Sequence, residues 1–260
     1  MSAEDTWTDR TKLVAAYAAD AANQVYRIDI ATGSILPITS GPGVKLAPSV
    51  LASGRVAYLR GDGARIEIVS ADGKVGPSGT DIAPNPVAWS PDGNHVVYSR
   101  TSFTPTSAPA KQWSRNPDFD LYATTLLPAY DRTGMRLAVS NIVPGGGTSL
   151  MVIDGDQPAR AILDRKDLIL APQWSPDSKQ IVVGVGGFTA FLDFAAGTKK
   201  AIDRVNGGAQ VAILNADGTG FHMVTSGQSN NGFAAFSPDG SHIVYRTAGP
   251  DGEGLRIMNL

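Results

Sequence analysis

The chain has 260 residues, of which 22 are Lys or Arg, 24 are Asp or Glu and none is Cys. A chain of this length can bury a large core as one all-β domain. The absence of cysteine excludes disulfides and thiolate metal sites. The formal net charge of -2, without a long basic run, argues against nucleic acid or an anionic membrane surface as the main partner.

The N-terminal sequence MSAEDTWTDR is acidic and polar, and it lacks the basic and apolar regions of a secretory signal. No apolar run approaches the roughly 18 residues that a membrane-spanning helix needs. We therefore expect no membrane insertion and, for the sequence as written, a cytoplasmic protein. Removal of a leader would make it periplasmic or secreted instead.

A repeated phrase runs through the chain: an aromatic residue, a Ser-Pro-Asp-type turn, then a β-branched or alternating apolar run. Clear and degenerate copies recur for the most part about every 40 residues, which is the period of a β-propeller blade with four short strands. In chain order the copies are Thr6–Tyr17, Ser49–Leu59, Ala88–Ser99, Ala129–Ser140, Gln173–Gly184 and Ala235–Arg246.

Further strand signals follow each phrase. The first strand of a unit precedes the Ser-Pro-Asp turn and the second follows it. A third strand ends in a polar turn, as in Gln24–Gly33 and Ala209–Gly218. A fourth strand follows in several units, such as Ser34–Ser40 and Gly220–Ser226. The sequence therefore predicts an all-β fold with almost no helix.

The turn residues of the repeat have local structural roles, since Asp accepts backbone N–H bonds and Gly adopts a positive φ. The residues to which we assign these roles are Asp92, Gly93, Gly134, Asp177, Asp239 and Gly240. Trp89, Trp174 and Phe236 end their first strands, where we expect the rings to pack between neighbouring blades.

The WSPDG, IVY and LNADG elements of these repeats resemble the TolB-like six-bladed β-propeller family, which is related to the propellers of tricorn protease and prolyl oligopeptidase. The resemblance covers nearly the whole chain. It implies a protein-interaction platform or an accessory propeller of a peptidase system. No functional residue carries over from the family, because the matching positions are the blade turns.

The resemblance implies one propeller domain over residues 1–260. We expect incomplete third and last blades, because the third unit lacks a fourth strand and the last stops after its third. Bare strand edges of this kind invite strand pairing or dimerisation. The expected blades are residues 3–40, 46–79, 84–125, 126–165, 169–226 and 232–260.

Two long connections interrupt the repeat, Thr101–Pro117 in the third unit and Gly186–Gly207 in the fifth. Both join the second strand of a blade to the third, so we expect them on the same face. Aromatic and arginine side chains on loops are typical of contact anchors. The candidate binding residues are Lys111, Trp113, Arg115, Phe188, Phe191 and Arg204. The alternative is that the phenylalanines only pack the connection onto the disc.

The sequence contains few residues suited to catalysis. His95 and His242 occupy equivalent repeat positions and cannot converge on one site, and His222 stands alone. No paired metal-ligand spacing and no Gly-x-Ser-x-Gly motif occur. We therefore assign no catalytic residue, no metal and no cofactor.

Two hypotheses about function remain. The first is a non-catalytic propeller that binds a protein partner through its loop-bearing face. The second is a propeller hydrolase or lyase, with a site at the mouth of the central channel. Such an enzyme needs several polar side chains that point into one funnel, whereas the expected first strands here are largely apolar. That difference favours the binding protein.

Overall fold

A computed structural model of the chain describes residues 7–9, 12–19, 22–51, 54–60, 65–69, 75–81, 87–91, 96–98, 125–143, 147–155, 157–186, 208–250 and 252–260. All regular elements in these ranges are β-strands. No helix long and apolar enough to cross a bilayer occurs among them. The chain divides into two compact units, Met1–Ala123 and Thr124–Leu260.

The described residues of the first unit form three antiparallel sheets, each built from strands that are consecutive in sequence. The first sheet comprises β1 (Trp7–Asp9), β2 (Lys12–Ala19), β3 (Ala22–Asp29) and β4 (Ile35–Pro37). The second sheet comprises β5 (Lys45–Val50), β6 (Val56–Arg60), β7 (Arg65–Val69) and β8 (Val75–Asp81). The third sheet is described through β9 (Val87–Trp89) and β10 (Val96–Tyr98).

The part of the second unit that the structure describes also forms three antiparallel sheets of consecutive strands. The fourth sheet comprises β11 (Thr125–Tyr130), β12 (Arg136–Ile142), β13 (Thr148–Asp154) and β14 (Arg160–Arg165). The fifth sheet comprises β15 (Leu168–Trp174), β16 (Gln180–Gly186), β17 (Gln210–Asn215) and β18 (His222–Met223). The sixth sheet has three strands: β19 (Asn230–Phe236), β20 (His242–Gly249) and β21 (Gly252–Asn259).

The core of the second unit lies between its sheets. We call the first strand of each sheet its leading strand. In this unit the leading strands are β11, β15 and β19, and β15 contacts both of the others. Between the fourth and fifth sheets, Leu150, Trp174 and Leu214 belong to one buried cluster. Between the fifth and sixth sheets, Ile213 and Phe236 belong to another. The rings that end β15 and β19 therefore pack against the preceding sheet, because each is the largest apolar surface its strand can bury.

Four of the leading strands, β5, β11, β15 and β19, share a β-bulge at the same repeat position. Their pairing with the next strand shifts register between Leu46 and Ser49, Leu126 and Ala129, Leu170 and Gln173, and Gly232 and Ala235. Within the last three bulges, Leu127, Ala171 and Phe233 each have a φ of 51°. A non-glycine residue in this conformation stores about 1–3 kcal/mol of strain. The surrounding sheets therefore impose the bulge rather than the local sequence.

In the first unit, the first and second sheets pack through β2, β3 and β5. Val25, Val56 and Tyr58 form the buried cluster there, with Ile38 and Val50 packed against it. Both units thus bury apolar side chains between successive sheets, which is the packing expected of adjacent propeller blades.

Candidate functional site

The six candidate binding residues lie outside the described residues, and so do Asp92 and Gly93 of the repeat turns. What the structure describes is the base of the second insertion. β16 ends at Gly186, whose partner is Leu168 at the start of β15, and β17 begins at Gln210, paired with Val185. Both ends of the insertion therefore lie where the leading strands begin. We call this part of the second unit the loop end.

Gln210 organises the loop end through both atoms of its amide. Its Nε2 donates to the carbonyls of Gly208, Gly227 and Ser229, at 3.2, 3.1 and 3.1 Å. Its Oε1 accepts hydrogen bonds from Thr225 Oγ1 at 2.7 Å and from Asn231 Nδ2 at 3.0 Å. One side chain thus joins the end of the insertion to the connection between β18 and β19.

Two asparagines complete this arrangement. Asn230 Oδ1 accepts the N–H of Ala209 at 2.9 Å, and the N–H of Asn231 donates to the Ala209 carbonyl at 2.7 Å. Both asparagines are buried, with 1% and 6% of their surface exposed. Hydrogen bonds between buried polar groups favour one geometry. The C-terminal end of the insertion is therefore fixed to β19.

The same clamp occurs in the first sheet. Gln24 Nε2 donates to the Gly41 carbonyl at 2.8 Å, and Thr39 Oγ1 donates to Gln24 Oε1 at 2.8 Å. The threonine hydroxyl in turn accepts the N–H that follows the glutamine, Val25 in the first sheet and Val211 in the fifth. We call this arrangement the Gln–Thr clamp. In the first sheet the pairing of the second and third strands extends to Ala19 and Ala22, so no long insertion separates them.

Lys45 occupies the position in the first unit that Asn231 occupies in the second. Its Nζ donates to the carbonyls of Gly41, Pro42 and Gly43, at 2.8, 2.9 and 3.0 Å. The lysine is 3% exposed. In both units, then, a buried donor from the start of a leading strand holds the carbonyls of the preceding connection.

No protein-family model and no curated protein matches the chain. Many solved structures share its fold. TolB from Acinetobacter baumannii aligns with a TM-score of 0.69 at 16% identity, over 98% of this chain and 62% of that one. A protein assigned as TolB from Agrobacterium tumefaciens aligns with a TM-score of 0.66 at 16% identity, over 90% and 83%. A gluconolactonase from Xanthomonas campestris aligns with a TM-score of 0.64 at 17% identity, over 100% and 87%.

The chain has a TolB-like β-propeller fold. The all-β architecture expected from the repeat is confirmed, and we refer to the sheets described above as blades. The last blade has three strands. The described residues of the third blade do not include the region where its fourth strand would lie.

The turns between the first and second strands lie opposite the loop end. Asp177 Oδ1 accepts from Ser175 Oγ at 2.7 Å and from the Lys179 N–H at 3.1 Å. These two hydrogen bonds, the first being the stronger, lower the pKa of Asp177 below its usual 3.8. In the sixth blade, Asp239 Oδ1 accepts from Ser237 Oγ and from the Ser241 N–H in the same way, and Gly240 follows it with a φ of 73°.

In the fourth blade, Asp131 holds the corresponding turn and Gly134 supplies the positive φ of 72°. Asp131 is fully buried and bonds Thr133 Oγ1, the N–H of Arg136 and Arg136 Nε. In the fifth blade the glycine position is held by Ser178, with a φ of 58°. Its Oγ accepts the Arg132 N–H of the fourth blade, which explains a serine there.

Across the described ranges, no group of three or more His, Asp or Glu side chains is placed to hold a metal ion. The polar groups that the loop end does collect are amides and hydroxyls: Gln210, Thr225, Asn230 and Asn231. Amides and hydroxyls of this kind form hydrogen bonds but do not transfer protons near neutral pH.

The sequence analysis missed the Gln–Thr clamp. The signal that could have found it is the Thr-Ser-Gly triplet, present as Thr39–Gly41 and Thr225–Gly227, combined with Gln-Val at the start of the preceding third strand. At the position of the Gln–Thr clamp, the fourth blade has a different pair of residues: Ser149 Oγ donates a hydrogen bond to Asp164.

Proposed function

We propose that this propeller is a protein-interaction scaffold that binds a protein partner through its insertion-bearing loops. The observation that carries the proposal is the rigid base of the second insertion. The chain returns from it at Gly208, where Gln210, Asn230 and Asn231 fix its position. Binding loops held by a rigid scaffold lose less conformational entropy on association.

The composition of both insertions supports this role. Trp113, Arg115 and Phe191 are residue types that supply most of the binding energy in protein interfaces. Lys111, Phe188 and Arg204 add charge and apolar area to the same loops. Because the turn contacts of the blades are occupied in holding the scaffold, the loops are the part of the sequence available for recognition.

A second candidate function is catalysis at the channel mouth, since the fold is shared with a gluconolactonase. Fold alone does not choose between the two. In the second unit, the starts of the leading strands hold Leu168, Asn230 and Asn231, and Asn230 Oδ1 and both Asn231 amide hydrogens are engaged in the loop-end network. This use of the asparagines favours the scaffold.

The test replaces the anchors while leaving the scaffold intact. One variant carries Phe188→Ser, Phe191→Ser and Arg204→Ser. Its matched control carries Ile35→Ser, Leu36→Ser and Met135→Ser, three well exposed apolar residues of the blades. Each is used as bait for quantitative affinity capture from an extract of the organism that makes the protein, with unfolding curves to check the fold.

We expect the control to retain the partner that the wild type captures and the anchor variant to lose it by about tenfold or more. Equal capture by both variants contradicts the proposal. Turnover of a lactone by the wild type, unchanged in the anchor variant, would favour the catalytic alternative. The compartment is part of the proposal: cytoplasmic as written, and periplasmic or secreted if a leader is removed.

A further inference from the structure

The sixth blade ends in an open strand edge. β21 pairs with β20 on one side, and no strand of the described residues pairs with it on the other. The N–H of Leu260, directly after β21, donates to the Ser241 carbonyl at 3.0 Å. Because bonding to one neighbour alternates along an antiparallel strand, Leu255, Ile257 and Asn259 direct their backbone N–H and C=O groups away from β20. We call this side of β21 the open edge.

β21 differs in length and regularity from the fourth strands of the other blades. β4 has three residues and includes Pro37, and β18 has two residues. β8 includes Pro77, and the pairing of both β8 and β14 shifts register. β21 has eight residues without proline, and it pairs with β20 in regular register throughout. Long and regular edges without proline are the ones that accept another strand.

Strand pairing shows which residues of the fifth blade correspond to the open edge. In the fifth blade, the path from the first bulge residue through its partner on the second strand leads to Val211 on the third. The same path in the sixth blade leads to Leu255. Two residues further along, Ile257 corresponds to Ile213. Ile213 is 3% exposed, whereas Ile257 is 42% exposed. The open edge therefore presents apolar surface at a place that is covered in the fifth blade.

The fourth strand of the fifth blade shows what fits beside such a position. The N–H of Val224 donates to the Val211 carbonyl at 2.8 Å. Thr225 Oγ1 accepts the Val211 N–H, also at 2.8 Å. The Val224 side chain packs against the buried cluster between the fifth and sixth blades. A β-branched apolar residue followed by threonine thus satisfies both backbone groups of the third strand and covers its apolar face.

The first blade uses the same pair of residue types. The N–H of Ile38 donates to the Val25 carbonyl at 2.9 Å, and Thr39 Oγ1 accepts the Val25 N–H at 2.9 Å. Ile38 packs against the cluster that contains Val25. Two blades therefore give the same chemical description of a strand that fits this place: apolar and β-branched, then threonine.

The sixth blade lacks the side chain that holds such a strand in the other two. Gly254 precedes Leu255, as Gln210 precedes Val211, so glycine takes the place of the clamp glutamine. A Cβ on Gly254 would meet nothing within 4 Å. A strand at the open edge would be held by backbone bonds and one hydroxyl, without the Gln–Thr clamp. Weaker attachment of this kind favours a strand that binds reversibly.

We propose that the open edge binds an extended segment of a partner protein, antiparallel to β21, in which a β-branched apolar residue is followed by threonine. The N–H of the apolar residue bonds the Leu255 carbonyl, and the threonine hydroxyl accepts the Leu255 N–H. The apolar side chain covers the surface that includes Ile257. The insertion anchors take no part, so failure of this proposal would leave the proposed scaffold function untouched.

The test uses peptides with the full-length chain. The probe is the acetylated and amidated peptide His-Met-Val-Thr-Ser-Gly, a copy of residues 222–227. One control peptide carries Val224→Pro, which removes the N–H that would bond the Leu255 carbonyl. A second carries Thr225→Val, which removes the hydroxyl. Binding is followed by two-dimensional amide NMR, through the backbone signals of Leu255, Ile257 and Asn259.

Two protein variants test the edge itself. Leu255→Pro removes the N–H at the open edge, and an edge strand tolerates proline where that N–H bonds nothing within the sheet. Leu255→Ala is the matched control, because it shortens the same side chain and keeps the N–H. Unfolding curves show whether both variants fold.

We expect the wild type to bind the probe with a Kd of about 1 mM or tighter, and Leu255→Ala to bind within about threefold of it. The Val224→Pro peptide and the Leu255→Pro variant should each weaken binding by at least about tenfold, and the Thr225→Val peptide by about threefold or more. The amide hydrogens of Ile257 and Asn259 should exchange at least about tenfold more slowly with bound probe than without it.

Equal binding of the Val224→Pro peptide, equal binding to Leu255→Pro, or no saturable shift up to about 10 mM probe would each overturn the proposal. Slow exchange of the Ile257 and Asn259 amides without peptide would also overturn it, because the edge would then be covered already. A wild type that sediments as a dimer, and as a monomer after Leu255→Pro, would assign the edge to a second copy of the chain instead.

Discussion

The guanidinium carbon of Arg136 lies 4.5 Å from the centroid of the Trp174 ring, so that a cation of the fourth blade covers an aromatic face of the fifth. Arg136 Nε bonds Asp131 Oδ2 at 3.0 Å, and its Nη2 donates to the Ser178 carbonyl at 2.6 Å. Trp174 Nε1 donates to the Ala129 carbonyl at 3.0 Å. These contacts join the two blades at the end opposite the insertion.

Removing Arg136 from its ion pair with the buried Asp131 should destabilise the protein more than removing Lys179 from its exposed ion pair with Asp177. Arg136→Met leaves Asp131, which is fully buried, without its cation and should lower the free energy of unfolding by about 2–4 kcal/mol. Lys179→Met breaks the exposed ion pair in which Lys179 Nζ lies 3.7 Å from Asp177 Oδ2. This change should alter the free energy of unfolding by less than about 0.5 kcal/mol. Urea unfolding curves give both values. Equal effects would show that the contacts between blades carry little energy.

The contribution of the Gln–Thr clamp to stability can be measured by comparing two threonine-to-valine changes. Thr225→Val leaves the buried Val211 N–H and Gln210 Oε1 without the hydroxyl that joins them, and should cost about 1–3 kcal/mol. Thr148→Val is the control, because its buried Oγ1 has no hydrogen-bond partner in the described structure. That change should be neutral or stabilising by up to about 1 kcal/mol. Thermal and urea unfolding measure the difference, and a larger loss for Thr148→Val would contradict the assignment.

The strained bulge predicts an unusual response to glycine. Ala171 has a φ of 51°, so Ala171→Gly relieves about 1–2 kcal/mol of backbone strain. The same change removes a buried methyl group and raises the entropy of the unfolded chain, and both of these effects destabilise the folded protein. We expect a net change within about 0.5 kcal/mol of zero. Ala212→Gly, at a buried position of regular β17, gains no such relief and should cost about 1.5 kcal/mol or more. If both variants lose the same stability, the bulge is not strained.

Asp177 should titrate at an unusually acidic pH. Hydrogen bonds from Ser175 Oγ and the Lys179 N–H lower its folded-state pKa below 3.8. Because the folded pKa is the lower one, its contribution to stability is fully present above the unfolded value and is lost as pH falls through the folded value. NMR titration of the carboxyl carbon should give a midpoint below 3.8.

Ser175→Ala removes the first of those donors, so the Asp177 midpoint should move up toward 3.8 in that variant. A midpoint that does not move would mean that the hydroxyl is not the main cause. The side chain is mostly exposed, so the effect on total stability will be small.

The sequence was sufficient to predict the main features of the all-β, propeller-type fold. Those features depend on residues close together in the chain, such as Ser175 and Asp177, whose side chains bond within the turn itself. Proline, aspartate and glycine in such a pattern are typical of turns, so the repeat could be recognised from the sequence.

The clamp could not be predicted in the same way. Gln210 bonds residues 15 to 21 positions later, and its amide orientation depends on which carbonyls surround it. The bulge was equally hidden, because Leu127, Ala171 and Phe233 share no side-chain property that favours a positive φ.

The Gln–Thr clamp has a consequence for how such chains grow. Glutamine, threonine and the carbonyl that the glutamine holds lie within 17 residues, from Gln24 to Gly41 and again from Gln210 to Gly227. A tandem gene duplication that copies one blade therefore copies a complete set of bonding partners with it. New blades need no compensating mutations to close their own last strand, which opens an evolutionary path to longer propellers in steps of about 40 residues.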